Sequence, residues 1–294
     1  MRVLIIGSRG QVGTELVRLG PAWAEVIALD SGQLDVRETE IVYRTIREIK
    51  PALVINASAY TLVDRAETEQ QRAYAVNRDG AVNLAHAAES LNIPFFHIST
   101  DYVFDGKASE PYEESSAADP GNVYGRSKLA GEQGVVATCP RHIILRTSWV
   151  FSAHGTNFLR TMLRLGDERS QLRVVSDQHG GPTSAVSIAR TLWNLAHRYR
   201  DAGAAELEWG IFHFSGAPAT TWYGFAQEIF SQAHQLGIME RVPDLAAVTT
   251  EEYPTEAQRP AYSVLNCKKL FTTHHICQPD WREDLQSVLL ETQR

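Results

Sequence analysis

Three things are scarce in this sequence. Cysteine occurs only three times in 294 residues, at Cys139, Cys267 and Cys277. The count is odd and the spacing suits neither a metal site nor a disulfide framework, so the thiols read as reduced and the compartment as the cytoplasm. Long apolar runs are missing: none reaches the ~20 residues of a membrane helix. The chain opens directly on a strand-like stretch, without the basic and apolar regions of a secretory signal. Excess positive charge is missing as well. A net charge of −7 argues against nucleic acid or an anionic membrane as partner. There is no internal repeat and no low-complexity tail. What remains is a chain with 44% apolar residues, enough for a sizeable core and for two unequal domains.

Short apolar runs alternate with helical stretches through the first half. "RVLIIG" (2–7), "EVIAL" (25–29), "ALVINAS" (52–58), "PFFHIST" (94–100) and "HIILRTSWVF" (142–151) read as buried strands. Between them, "VGTELVRL", "ETEIVYRTIREIK", "QRAYAVNRDGAVNLAHAAESL" and "YGRSKLAGEQGVVA" read as helices. That alternation predicts an α/β fold with a parallel, doubly wound sheet. After Phe151 a polar loop leads into a helix within "DQHGGPTSAVSIARTLWNLAHRYR", and "GIFHFSG" (210–216) reads as one more strand. Residues 217–294 are richer in proline, threonine and charge, with helices expected near 222–237 and 280–292. The expected division is a sheet domain of residues 1–150 plus about 180–215, and a smaller C-terminal domain of 151–179 and 216–294.

"GSRGQVG" places Gly7, Gly10 and Gly13 between the first strand and the first helix. Glycines there allow a tight turn and let backbone N–H groups approach a pyrophosphate at the helix N-terminus. The spacing G-x-x-G-x-x-G differs from the commoner G-x-G-x-x-G, and a ligand-free turn is the alternative. Asp30, ending the second strand, can bind an adenosine ribose and so favours NAD. Arg9, inside the glycine loop, can instead pair with the 2′-phosphate of NADP. The two point in opposite directions, leaving NADH and NADPH both open. After the third strand, Ala57, Ala59, Tyr60 and Thr61 stand where a dinucleotide would lie along the sheet's carboxyl edge, or form a loop chosen for packing.

Tyr124 and Lys128 lie at i and i+4 of an expected helix and share a face. A phenol ionises near pH ~10, and a neighbouring ammonium is expected to lower that value. Lysine can also bind the hydroxyls of a nicotinamide ribose. The fourth strand ends on Ser99, Thr100 and Asp101, at the edge where open α/β sheets gather ligands. A hydroxyl there can bond a substrate carbonyl and the tyrosine, or simply cap the following turn.

These motifs, together with "NASAYTLVDRAE", "STDYVFDG", "NVYGRSKLAGE", "LRTSWVF", "NFLRTMLRL", "DQHGGPT" and "RPAYSVLN", give the chain a resemblance over essentially its whole length. It resembles the extended short-chain dehydrogenase/reductases that act on nucleotide sugars, and most closely the branch that reduces dTDP-4-dehydro-L-rhamnose. The resemblance implies a Rossmann-type sheet domain with a smaller substrate-binding domain and an NADPH- or NADH-dependent oxidoreductase. It makes Tyr124 the proton donor, Lys128 its pKa-lowering and ribose-binding partner, and Thr100 the third member. Cofactor contacts map to Gly10, Gln11, Val12, Asp30, Asp35, Val36, Ala59, Tyr60 and Thr61, although Tyr60 stands where some relatives carry another polar ring. Substrate contacts map to Thr100, Asp101 and Trp149. Some members form a homodimer bridged by Mg2+ through glutamates. Glu15 matches one such ligand, whereas Val186 stands at another, so no metal is assigned.

The remaining residues fit the same picture. Trp149 would wall the sugar pocket or serve the core. Asn157 would bind the diphosphate or cap a helix. Arg259 is a candidate diphosphate clamp or a surface charge. His179 reads as a loop residue, and His274 with His275 lacks a companion cluster. Two rival functions share these motifs. A nucleotide-sugar epimerase or dehydratase keeps the Tyr/Lys pair, but dehydratases carry an acid where this chain has Tyr102. A dinucleotide-binding regulatory subunit of the methionine adenosyltransferase type would bind cofactor and a partner protein without turnover.

Overall fold

A computed structural model describes residues 1–202 and 207–293. Its centre is one parallel six-stranded sheet formed by β1 (Arg2–Ile6), β2 (Glu25–Leu29), β3 (Leu53–Asn56), β4 (Phe95–Thr100), β5 (His142–Thr147) and β10 (Gly210–His213), in the order β10-β5-β4-β3-β1-β2. Side chains alternate across a strand, so Val3 and Ile5 bury against one face while Leu4 and Ile6 bury against the other. The first face is covered by α1 (Gln11–Arg18) and α8 (Ala185–Ala202). Ile188, Leu192 and Leu195 of α8 are fully buried there, each contributing roughly 1.5–3 kcal/mol. The second face is covered by α2 (Thr39–Ile49), α5 (Ala81–Ser90) and α6 (Val123–Thr138) through Val42, Ile46, Leu84, Ala88 and Val135. The expected doubly wound α/β sheet is therefore present.

Two of the expected elements are built differently. The helical stretch after residue 70 divides into α4 (Gln70–Tyr74), a π-helical turn over Ala75–Gly80 and α5, preceded by the short α3 (Val63–Ala66). The wider turn accommodates the buried Asn77, whose side chain bonds outside the helix. The expected strand 142–151 stops at Thr147, because Trp149 takes a left-handed backbone conformation (φ 46°) before the two-residue β6 (Val150–Phe151).

A second core lies beyond that break. It comprises α7 (Phe158–Glu168), α9 (Trp222–Gln235), α11 (Trp281–Glu291) and the paired strands β7 (Gln171–Val175) and β12 (Asp244–Val248). Phe151, Leu159, Leu172, Phe225, Phe230 and Trp281 fill it. Two further pairs, β6 with β9 (Thr183–Ser184) and β8 (His179–Gly180) with β11 (Thr220–Thr221), stitch this region to the sheet. Finally, α10 (Lys268–His274) packs Leu270 back on the first face. Among the described residues, no helix is long and apolar enough to cross a membrane.

Candidate active site

At the end of β1 the glycine loop is compelled by close approach. Gly7 has φ 83°, and a Cβ there would lie 2.6 Å from the Ser58 backbone nitrogen. A Cβ on Gly13 would run into the Gly7 carbonyl. Gly10 precedes α1 without any side-chain cap, and the first turn carries no acidic residue. The first-turn N–H groups of Gln11, Val12 and Gly13 therefore lack a side-chain acceptor and form a ready anion cradle.

Arg9 and Asp30, which favour different dinucleotides, are joined to each other: Arg9 Nε sits 2.7 Å from Asp30 Oδ2, with the arginine side chain 86% exposed. Asp30 Oδ1 accepts from the Gly32 and Gln33 backbones at 2.8 and 3.2 Å. Asp35 lies nearby, its carboxyl held below the usual range by a hydrogen bond from Arg37, and Val36 is buried. The loop after β3 carries the half-buried Ala57 and Ala59 and the exposed Thr61. Tyr60 is fixed through its backbone, its N–H donating to Asn77 Oδ1 at 2.8 Å, while its buried hydroxyl faces Glu69. Asn77 Nδ2 also donates to Ser127 Oγ of α6 at 2.9 Å, tying this loop to the helix that carries Tyr124.

Thr100 closes β4, its hydroxyl donating to Asp101 Oδ1 at 3.0 Å and accepting from the Tyr102 N–H at 3.2 Å. Asn122 caps α6 by accepting from the Gly125 N–H at 2.8 Å, which sets Tyr124 in the first turn. The half-buried Tyr124 meets Tyr102 edge-on at 5.6 Å and hydrogen-bonds with Thr100. Burial pushes its pKa well above that of an ordinary phenol; the Thr100 bond opposes the shift and the Asp101 charge adds to it. Burial also raises Asp101 to about 6, against hydrogen bonding from Thr100.

Lys128 departs from expectation. Its Nζ donates to the Ile98 carbonyl at 2.7 Å and meets His97 Nε2 at 3.2 Å. Burial lowers its pKa to about 8, with the Glu132 charge opposing. In this position the Lys128 amine faces β4 rather than the phenol, and burial governs the environment of Tyr124.

Trp149 stacks on Trp222 with ring centroids 3.6 Å apart, and Phe158 leans on Trp222 at 4.6 Å. The Trp149 ring fills the space beside Gly180, where a Cβ would collide with the indole. Gly180→Ala is therefore expected to cost roughly 1–3 kcal/mol as an overpacked site, and to change the near-ultraviolet circular dichroism of the stacked pair. Retention of both signals would refute this packing.

Other candidates have found partners. Asn157 caps α7 by accepting from the Arg160 N–H at 3.0 Å, and donates to Gln11 Oε1 of the glycine loop at 2.8 Å. It thus caps a helix and links the second core to the phosphate cradle. Arg259 is held by Asp64 at 2.6 Å and donates to the Tyr102 hydroxyl at 3.3 Å. His179 is exposed in β8. His274 is buried, packs on Phe212 at 4.8 Å and bonds the Glu208 carbonyl at 3.2 Å. Glu15 is buried, its Oε1 without a hydrogen bond but 3.5 Å from His154 Nε2, and its ligand atom lies within 4.8 Å of those of His154 and Glu291. Arg18 already sits against both carboxylates, 2.6 Å from Glu15 and 3.6 Å from Glu291. Val186 lies in α8 and offers no ligand atom.

Sequence reasoning passed over Asn56, His97, Asn77, Asp64 and Trp222. Asn56 and His97 left one signal, a polar side chain inside an otherwise apolar strand; the rest depend on pairings far apart in the chain.

A family model described as the RmlD substrate binding domain matches residues 1–294. The dTDP-4-dehydrorhamnose reductase of Aggregatibacter actinomycetemcomitans is 43% identical over 289 residues, 98% of each chain. Among solved structures, a dTDP-4-dehydrorhamnose reductase from Clostridium acetobutylicum ATCC 824 is similar with a TM-score of 0.92 and 38% identity over 100% of both chains. Another from Bacillus anthracis str. Ames, in complex with NADP, has a TM-score of 0.91 and 36% identity over 99% of both chains.

Proposed function

The chain belongs to the RmlD substrate binding domain family, and on that premise we propose that it reduces the C4 keto group of dTDP-4-dehydro-L-rhamnose to give dTDP-L-rhamnose. The observation that carries this reading is the meeting of Thr100 and Tyr124 at the carboxyl end of β4, beside an uncapped glycine loop at the end of β1.

The residues fit a nicotinamide dinucleotide. The α1 N-terminus and glycine loop would hold its pyrophosphate, Asp30 or Arg9 its adenosine ribose, and Ala57, Ala59 and Tyr60 its nicotinamide half. When bound, that cofactor supplies the hydride. Tyr124 holds its proton firmly and donates it from Oη to the developing O4 alkoxide. Thr100 orients the carbonyl with the same hydroxyl that bonds Tyr124, and Asp101 orients Thr100 in turn. Residues 1–150 with about 180–215 would carry the dinucleotide, and 151–179 with 216–294 the nucleotide sugar, walled by Trp149. Asn157 and Arg259 act there by fixing Gln11 and Tyr102. A metal fits poorly at Glu15 while Arg18 neutralises it, and no step runs through one. A homodimer rests on the family resemblance alone; a cytoplasmic location is supported by three free cysteines. Tyr102, in the place of a dehydratase acid, is taken up by Arg259, which disfavours water elimination.

The test is loss of reduced-nicotinamide absorbance with dTDP-4-dehydro-L-rhamnose, using NADPH and NADH separately. Turnover is expected; dinucleotide binding without turnover would overturn the proposal. The exposed Arg9 is free to exchange Asp30 for a 2′-phosphate. Arg9→Ala should therefore weaken NADPH about tenfold, near the worth of one charge-assisted hydrogen bond, and leave NADH nearly unchanged. Equal losses with both cofactors would remove Arg9 from cofactor selection.

A further inference from the structure

Behind the site, a line of polar atoms crosses the sheet from β3 to α6. Asn56 and His97 are register partners on neighbouring strands, each 1% exposed. Asn56 Oδ1 accepts from the Ser58 backbone N–H at 2.9 Å and from the Ser58 hydroxyl at 2.6 Å. A backbone N–H only donates, so the amide orientation is fixed and Nδ2 is the atom facing His97 Nδ1 at 3.0 Å. Nδ1 must then accept. Burial holds the imidazole neutral by pushing its pKa far down, so its single proton is on Nε2. That N–H faces Lys128 Nζ at 3.2 Å, while Nζ donates to the Ile98 carbonyl at 2.7 Å. An ammonium has three donors and no lone pair, and would meet the Nε2 proton head-on. Only a neutral amine closes the line.

We propose that His97, oriented by Asn56, is a positioning residue that docks Lys128 as a neutral amine, and that protonation of the amine releases it toward Tyr124 and the cofactor ribose. The docking rests on geometry; the destination of the released lysine rests on the proposed reductase function. In the step, a solvent proton adds to the Nζ lone pair and the Nε2–H···Nζ hydrogen bond breaks; no covalent bond between heavy atoms changes. The charged and titratable groups around the pair are few. Glu132, on the same helix, favours the ammonium but is itself engaged by Arg146 of β5 at 2.6 Å. His142 of β5 acts on His97, and Tyr124 with Asp101 stands on the site side.

Lys50, Lys107, Lys128, Lys268 and Lys269 are the only lysines in the chain, so a 13Cε-lysine NMR titration of the full-length protein is tractable, with Lys128→Arg assigning the signal. Lys128 should titrate at least about one pH unit below the other four, and saturating NADP+ should raise its midpoint. His97→Phe keeps a ring beside Phe95 but offers no N–H. It should raise the midpoint by about one unit, tenfold in proton affinity. Asn56→Leu, uncharged and of similar shape, frees the ring to present Nε2 as an acceptor and should shift it the same way; it serves if the phenylalanine variant does not fold. A Lys128 midpoint among those of the other lysines in wild type, or one unmoved by both substitutions, would overturn the proposal. A merely structural role for His97 would not shift it. The titration needs no turnover, so failure of the reductase assay and failure of the docking are separately visible.

Discussion

Tyr124→Phe should leave roughly 10⁻²–10⁻⁴ of the wild-type kcat, the usual share of a positioned general acid, with dinucleotide affinity nearly unchanged. The substitution removes one oxygen. The ring keeps its edge-on contact with Tyr102, and the Asn122 cap that places it is untouched. The lost group is the partner that α6 offers Thr100, so the carbonyl loses both its donor and the bond that aligns Thr100. Single-turnover kinetics with a fluorescence titration of NADPH would separate chemistry from binding; a Phe variant within about threefold of wild type would remove Tyr124 from the reaction. The wild-type pH profile gives a second check. Because burial raises Asp101 to about 6, its carboxylate is lost as pH falls through that value, and with it the acceptor that aims the Thr100 hydroxyl. An acid limb near pH 6 is expected. Burial raises the phenol, so it keeps its proton through neutrality and adds no loss there.

Glu132→Ala should be the most destabilising single change proposed for this chain. Arg146 and Glu132 form a bidentate pair at 2.6–3.2 Å with side chains only 4% and 2% exposed. Truncating the glutamate strands a guanidinium against the Phe104 ring and His213. Removing one partner of such a pair costs about 3–5 kcal/mol, whereas replacing both by apolar groups can be neutral or favourable. Urea unfolding should therefore rank wild type and Glu132→Met with Arg146→Met together well above Glu132→Ala. An alanine variant as stable as wild type would show the pair to be dispensable. His213 joins the same cluster; burial and the Arg146 charge hold its pKa down at about 3, so it remains neutral and adds no second cation.

The sheet was legible because its strands are short apolar runs, a signal that survives without knowledge of their neighbours. The break at Trp149 was not, since a left-handed tryptophan carries no glycine to announce it. Nor were β7 and β12, whose partners lie more than 70 residues apart, or the two-residue strands that stitch the second core. The Tyr124 and Lys128 pair was visible from helical spacing, which places both on one face. Spacing says nothing of what else that face meets, and it is His97, 31 residues earlier, that determines where the lysine points. For the same reason the sequence leaves Arg259 open between a diphosphate clamp and a surface charge: Asp64, its partner, is 195 residues away.

The placement of β10 has a consequence for how the chain emerges from the ribosome. Until Gly210–His213 is synthesised, β5 presents an open edge, and until α8 is made, from residue 185 on, only α1 shields the first apolar face of the sheet. A nascent or truncated chain ending near residue 150 therefore exposes both an unpaired strand and the side chains α8 should cover, the combination that invites aggregation. The portion bearing Tyr124 and Lys128 is contiguous in sequence, but the strand that completes its sheet edge and the helix that completes the cover of its first face come from the other side of the second core.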